Sequence, residues 1–243
     1  MLSSVELPFE PGRRRRIYLM RHGDAAYIDS EGRMTGDPRM APLSARGRRE
    51  AAAMGELLAP AKFDRAVCSG LPRTVETAEL VLRDKRMALE RIPELEEVRG
   101  GRRGEGQPIV ARDVAYSIGE AAHPGGRFLG GESFLELHRR VMGAVELLVA
   151  QQEWSQMLLV AHGGVNRIIL GWALGASLGS APHMEQDSGC VNVLDFDHDA
   201  NGHLFRTLVR ALNVTAIDPA KHEHWLTTLE RQGKELEKIL ERR

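Results

Sequence analysis

RIYLMRHG, residues 16 to 23, is a short apolar, partly β-branched run that ends abruptly in Arg-His-Gly. QMLLVAHGG, residues 156 to 164, repeats the arrangement far down the chain. Apolar runs of this length bounded by glycine read as strands buried on both faces. VNRIILGWALG (165–175) follows the second run as an apolar helix. LSARGRREAAAMGELLA (43–59) reads as a helix capped by Ser44, with Ala51, Met54, Leu57 and Leu58 on one face. RAVCSG (65–70) is a further short strand, and LPRTVETAELVLRD (71–84) a helix with Pro72 in its first turn. ESFLELHRRVMGAVELLVAQQE (132–153) is a long helix, with Glu132–Ser133 at its cap. CVNVLDFD (190–197) and HLFRTLVRAL (203–212) are strands joined by a turn at Asp199–Gly202. Strands alternating with helices predict an α/β fold: a three-layer α/β/α sandwich around a mainly parallel, mixed sheet with a late antiparallel hairpin.

The 243 residues are read as one domain over 1–243. Residues 92–131, rich in Gly, Arg and Glu, read as an inserted, lid-like segment with a short helix near 109–121. A terminal helix is expected over about 219–242, with Trp225, Leu229, Leu236 and Leu240 apolar. Hydrophobic residues make up 42% of the chain, enough for a core, which argues against disorder. The net charge of −1 gives no case for a nucleic acid or membrane partner. The basic run Arg13 to Arg16 is expected to be a solvated N-terminal arm. Cys68 and Cys190 suggest neither a disulfide framework nor a metal knuckle, and Cys68 reads as a buried thiol. With no apolar run long enough to span a membrane and no signal-peptide pattern, the expected location is cytoplasmic.

In parallel sheets ligands bind beyond the carboxyl ends of the strands, so His22 and His162 belong at one sheet edge. Arg21 ends the first strand, and Arg73 begins the helix after RAVCSG. Two arginines offer bidentate forks to the oxygens of a phosphoryl group, and the amides after His162, from Gly163 on, add donors. An imidazole among arginines stays neutral and nucleophilic. Expulsion of an alkoxide needs a carboxylic acid, and Glu94, Glu96 and Glu97 in ELEEV are all available. No metal or cofactor is required. His222 and His224 are two apart and do not share a helix face.

The ordered set LMRHG, LSARG, CSGLPRTVETA, LEEVRGGRRGEG, GGESF and LLVAHGGVNR resembles the histidine phosphatase superfamily, the phosphoglycerate mutase-like fold. The resemblance implies a metal-independent phosphomonoesterase acting on a small phosphorylated metabolite. It implies His22 as the nucleophile that becomes phosphohistidine, Arg21 and Arg73 as phosphate clamps, and His162 as the second histidine. Family spacing favours Glu97 as the proton donor. Many members carry a Ser or Thr and an Asn where this chain has Ala25 and Ile28, so their substrates cannot be borrowed. Asp24, Arg102 and Arg103 are further candidates for substrate contact. Glycolytic mutases of the family read H-G-N at the second histidine; this chain reads H-G-G, like the phosphatase branch. The alternatives are mutase-type phosphoryl transfer and a catalytically weak phosphoester-binding regulator. Inorganic phosphate and a second copy of the chain are the other candidate partners.

Overall fold

The structure, a computed structural model, describes residues 14–27, 37–101, 110–222 and 225–241. Its six strands are β1 (Arg14–Arg21), β2 (Arg65–Cys68), β3 (Glu90–Arg91), β4 (Gln156–Ala161), β5 (Val191–His198) and β6 (Leu204–Val214). They form one sheet in the order β3-β2-β4-β1-β5-β6. β1, β2, β3 and β4 pair in parallel, whereas β5 runs antiparallel to both of its neighbours. The helices are α1 (Ala45–Leu57), α2 (Pro72–Val81), α3 (Ala111–Tyr116), α4 (Phe134–Ala150), α5 (Gly163–Ala173) and α6 (Thr228–Leu240).

The central strands alternate apolar side chains to both faces, which is why they read as continuous apolar runs. Ile17, Leu19, Met157, Leu159 and Ala161 pack with α4 and α5, through Leu137, Val141, Val145, Val165 and Ile169. Met20, Leu158, Val160 and Cys68 pack on the other face, with Met54 of α1 and Ala78 of α2. Each such fully buried aliphatic side chain contributes roughly 1.5–3 kcal/mol. The expected three layers result. Ser44 caps α1 by accepting from Gly47 N, and Ser133 caps α4 in a reciprocal box with Glu136. Both cysteines are buried free thiols. Among the described residues no helix is long and apolar enough to cross a membrane.

Two expectations need correction, and one strand went unforeseen. Arg14 to Arg16 are no solvated arm but the first three residues of β1, and Arg13 lies outside the described residues. Arg14 and Arg16 reach Asp197 and Asp195 on β5, while Arg15 is buried beside the Trp154 ring. The terminal helix starts at Thr228, not near 219, because Thr227 and Glu230 form its capping box. Trp225 therefore precedes the helix and is 90% exposed. The helix itself, α6, docks on α3, where a Cβ on Gly233 would lie 2.8 Å from Ala111 O. Lastly, the two-residue strand β3 had no recognisable sequence pattern. Within 92–131 the expected short helix is α3, continued by a 3-10 turn over Ser117–Ala122.

Candidate active site

Strand register assembles the site. Arg21 lies opposite Ala161, so the next residues, His22 and His162, leave neighbouring strands at the same edge. Cys68 lies opposite Val160, which brings Ser69 beside them. The glycine of R-H-G is fixed by a close approach: a Cβ on Gly23 would stand 2.4 Å from Gly47 O. That contact seats the start of α1 against the loop carrying His22. The two imidazoles meet edge to face, with centroids 5.1 Å apart.

Proton counting assigns both tautomers. His22 Nδ1 lies 2.7 Å from Gly23 O, which can only accept, so the proton sits on Nδ1 and the lone pair on Nε2. Arg73 Nε donates to that lone pair at 3.2 Å. Thr74 Oγ1 donates to Leu71 O at 2.8 Å, so it must accept from Ser69 Oγ at 2.9 Å. Ser69 Oγ, its proton spent, accepts from His162 Nε2–H at 2.8 Å. The His162 lone pair is thus on Nδ1. His162 Nδ1 and Arg21 Nε are buried with no hydrogen-bond partner among the described residues. Buried orphans are costly; Arg21 Nε–H suits an anion as it stands, and His162 Nδ1 suits one once it carries a proton. Burial, then the charges of Arg73 and Arg21, hold the His22 pKa well below the usual histidine value. Burial and Arg73 do the same for His162, with His22 and Arg21 adding to it.

The cations are held by backbone. Arg21 Nη1 donates to Gln186 O, and Arg73 Nη1 to Pro38 O and Arg39 O at 3.2 and 3.1 Å. Gly163 opens α5, and a Cβ there would lie 3.5 Å from Arg21 Nε and 3.0 Å from Arg167 Nη1. Arg167 was not anticipated. It is buried, bonded to Met184 O and Glu185, and adds positive charge at the helix N-terminus. Its place five residues after His162 in HGGVNR was the only sequence signal.

Of the three glutamates, the structure brings Glu97 to this edge. Its carboxylate accepts from Gly164 N at 3.1 and 3.2 Å and from Val98 N at 3.0 Å. A Cβ on Gly164 would lie 2.5 Å from Glu97 Oε1, so the second glycine of H-G-G makes room for the carboxylate. Glu96 instead pairs with Arg39, and Glu94 is exposed. Asp24, expected as a substrate contact, accepts from Ser44 Oγ at 2.6 Å and so braces the α1 cap. Arg102, Arg103 and Ile28 lie outside the described residues. Tyr27, which the sequence reading passed over, has its ring 5.8 Å from the Arg73 guanidinium.

Residues 17–206 match the family model of the histidine phosphatase superfamily (branch 1). The chain is 32% identical over 210 residues to the adenosylcobalamin/alpha-ribazole phosphatase of Escherichia coli K12, covering 83% of this chain and 97% of that protein. It is 31% identical over 209 residues to a Proteus mirabilis protein named "Probable phosphoglycerate mutase GpmB", covering 83% and 96%. The crystal structure of the alpha-ribazole phosphatase from Shigella flexneri superposes with a TM-score of 0.64 at 29% identity, over 82% of this chain and 96% of that one. With the family model matched over most of its length and a relative 32% identical along 83% of it, the chain belongs to branch 1 of the histidine phosphatase superfamily.

Proposed function

We propose that this phosphoric monoester hydrolase works through His22 on a small phosphorylated metabolite, in two displacements. The single observation that carries the reading is the pair of buried atoms without a partner among the described residues, Arg21 Nε and His162 Nδ1, beside a neutral imidazole whose Nε2 lone pair accepts from Arg73. His22 Nε2 attacks phosphorus, and the N–P bond forms as the ester P–O bond breaks. Arg21, Arg73 and the amide of Gly163 hold the non-bridging oxygens and offset their charge. His162 Nδ1 faces the same group; as the dianion offsets the arginine charge, this nitrogen takes a proton from solvent, donates it in a hydrogen bond to a phosphoryl oxygen, and gives it up when inorganic phosphate leaves. Glu97, in its protonated form, gives its proton to the leaving oxygen. As a carboxylate it then takes a proton from water, whose oxygen bonds phosphorus as the P–N bond breaks. His22 is thereby restored and inorganic phosphate leaves. Glu97 falls in the segment 92–131, read as a lid-like insertion in a single domain; residues 102–109 of it lie outside the described residues.

The named activity of the Escherichia coli relative makes alpha-ribazole phosphate the first substrate to try. The mutase-named relative supports phosphoryl transfer as the second reading. The test is steady-state hydrolysis of alpha-ribazole phosphate and of an aryl phosphate, with chelator present, for the wild type and His22→Ala. Release of inorganic phosphate is expected, with kcat/KM falling about 10⁵-fold in the variant. An alkali-stable, acid-labile phosphoenzyme should form only in the wild type. Hydrolysis that survives His22→Ala overturns the nucleophile. A phosphoenzyme that returns its group to a phosphoglycerate faster than to water establishes the mutase reading.

A further inference from the structure

The last turn before the acid is held by a residue that no motif announces. Arg140, in the middle of α4, turns both terminal nitrogens of its guanidinium to the segment from Glu94 to Glu97. Its Nη1 donates to Glu94 O and Glu96 O, each at 2.7 Å, and its Nη2 to Glu97 O at 3.1 Å. The same group makes a two-point pair with Glu132, at 2.6 and 2.8 Å. Glu132 closes the ring, since its Oε2 accepts from Arg99 N at 3.0 Å and its own amide donates to Arg99 O at 2.8 Å. Side-chain exposure is only 17% for Arg140 and 9% for Glu132. The glycines beside them allow the contact: a Cβ on Gly131 would lie 2.2 Å from Arg99 O.

A loop held by its own backbone alone would leave Glu97 mobile, because the segment has only one short 3-10 turn, Pro93–Leu95. Three carbonyls fixed to a single planar cation cannot move independently. We propose that Arg140, locked by Glu132, is a positioning residue that sets the Glu97 carboxyl at the proton-transfer distance from the leaving oxygen. The proposal rests on the reading of Glu97 as the acid. Misplacement by an ångström is enough to cost a proton donor most of its effect.

Proton donation matters for poor leaving groups and hardly at all for acidic ones, which separates this role from a general loss of structure. The experiment measures kcat/KM, which reports on steps through phosphoenzyme formation, for a series from alkyl phosphates to 2,4-dinitrophenyl phosphate. Wild type, Glu97→Gln, Arg140→Gln and Glu132→Gln are compared. Arg140→Gln is expected to lose about 10²-fold on the alkyl ester and under about threefold on the dinitrophenyl ester, with Glu97→Gln steeper still. Glu132→Gln keeps the fork's geometry but not its charge, and should lose about three- to tenfold on the alkyl ester alone. It serves should Arg140→Gln fail to fold. Inorganic phosphate should raise Tm equally in all the folded proteins.

An equal loss across the series in the clamp variants, with Glu97→Gln still leaving-group dependent, overturns the positioning role. Arg140 would then act only as a structural tie, or through its charge at His162. A flat series for Glu97→Gln overturns the acid assignment itself.

Discussion

Strand β1 carries two kinds of arginine. At its start, Arg14 and Arg16 are about one-third exposed, and each forms a two-point pair with an aspartate of β5. Arg206 and Arg210 of β6 complete the array on Asp197 and Asp195. At its end, five residues on, Arg21 is buried, and its Nε has no partner among the described residues. The nearby charges it feels include a second cation, Arg167. A fully paired arginine contributes to folding; an orphaned one beside other cations costs stability, and only a bound anion gives it a partner. The same residue type on the same strand thus serves structure at one end and chemistry at the other.

The sharpest way to break that contrast is to remove one arginine of each kind. Arg21→Met is expected to lower kcat/KM about 10³-fold, the scale for losing one preorganised donor. Its Tm should be no lower than that of the wild type, because a crowded positive charge has gone. The gain in Tm from inorganic phosphate should shrink. A large drop in Tm, or activity near that of the wild type, would erase the distinction.

The converse substitution is Asp195→Asn. Burial alone would raise the Asp195 pKa, yet Arg16 and Arg210 together hold it below the usual carboxylate value. The loss should be about 2–3 kcal/mol, because the freed arginines are partly solvated while the amide stays buried. That is a fall in Tm of roughly 5–10 °C. kcat/KM below the transition should match the wild type. Thermal unfolding and steady-state assay on the same samples check both halves.

What the sequence disclosed follows the range of the interactions. The strand-to-His-Gly junctions, the Ser44 and Ser133 caps and the two alternating faces of β1 and β4 are local patterns, and they were legible. The arginine run was misread because the partners of Arg14 and Arg16 lie on β5, some 180 positions away. The clue was there in alternation: aspartates at 195 and 197 match arginines at 14 and 16 at a strand period of two. The start of the terminal helix was legible too, in Thr227-x-x-Glu230, but the apolar Trp225 drew the boundary outward. Local sequence alone left Glu94, Glu96 and Glu97 equivalent; family spacing favoured Glu97, and the fold adds that its carboxylate meets Gly164 N. The partners of Ser69 and Arg140 were invisible for the same reason.

The orphaned end also sets a pH dependence. His22 and His162 are kept neutral in the folded protein, with pKa values well below 6.5. The unfolded chain takes up protons at histidine near pH 6.5, so it binds more than the folded state does as pH falls. Stability should be full above about pH 6.5 and decline below it, by up to about 1.4 kcal/mol per pH unit for each histidine. His22→Gln should give a shallower decline of Tm between pH 7 and 5. Equal slopes would mean that His22 is not held neutral. Catalysis should run the other way, with the nucleophile still unprotonated at mildly acidic pH.

The smallest expected effect tests the proton count at His162. Ser69 accepts from His162 Nε2 because its own proton goes to Thr74, whose proton goes to Leu71 O. In Ser69→Ala the imidazole loses the acceptor that selects its tautomer, but no charge leaves the site. A fraction of molecules then carries the proton on Nδ1 and the lone pair on Nε2, and kcat/KM should fall about five- to tenfold, the upper end of a single neutral hydrogen bond. Ring-nitrogen NMR reads the cause directly. The wild type should show His162 protonated at Nε2 with a bare Nδ1, and Ser69→Ala a mixture of the two. A wild-type Nδ1–H would reverse the relay, turning the unpartnered His162 Nδ1 from an acceptor into a donor and making His162 a neutral donor to phosphate from the outset.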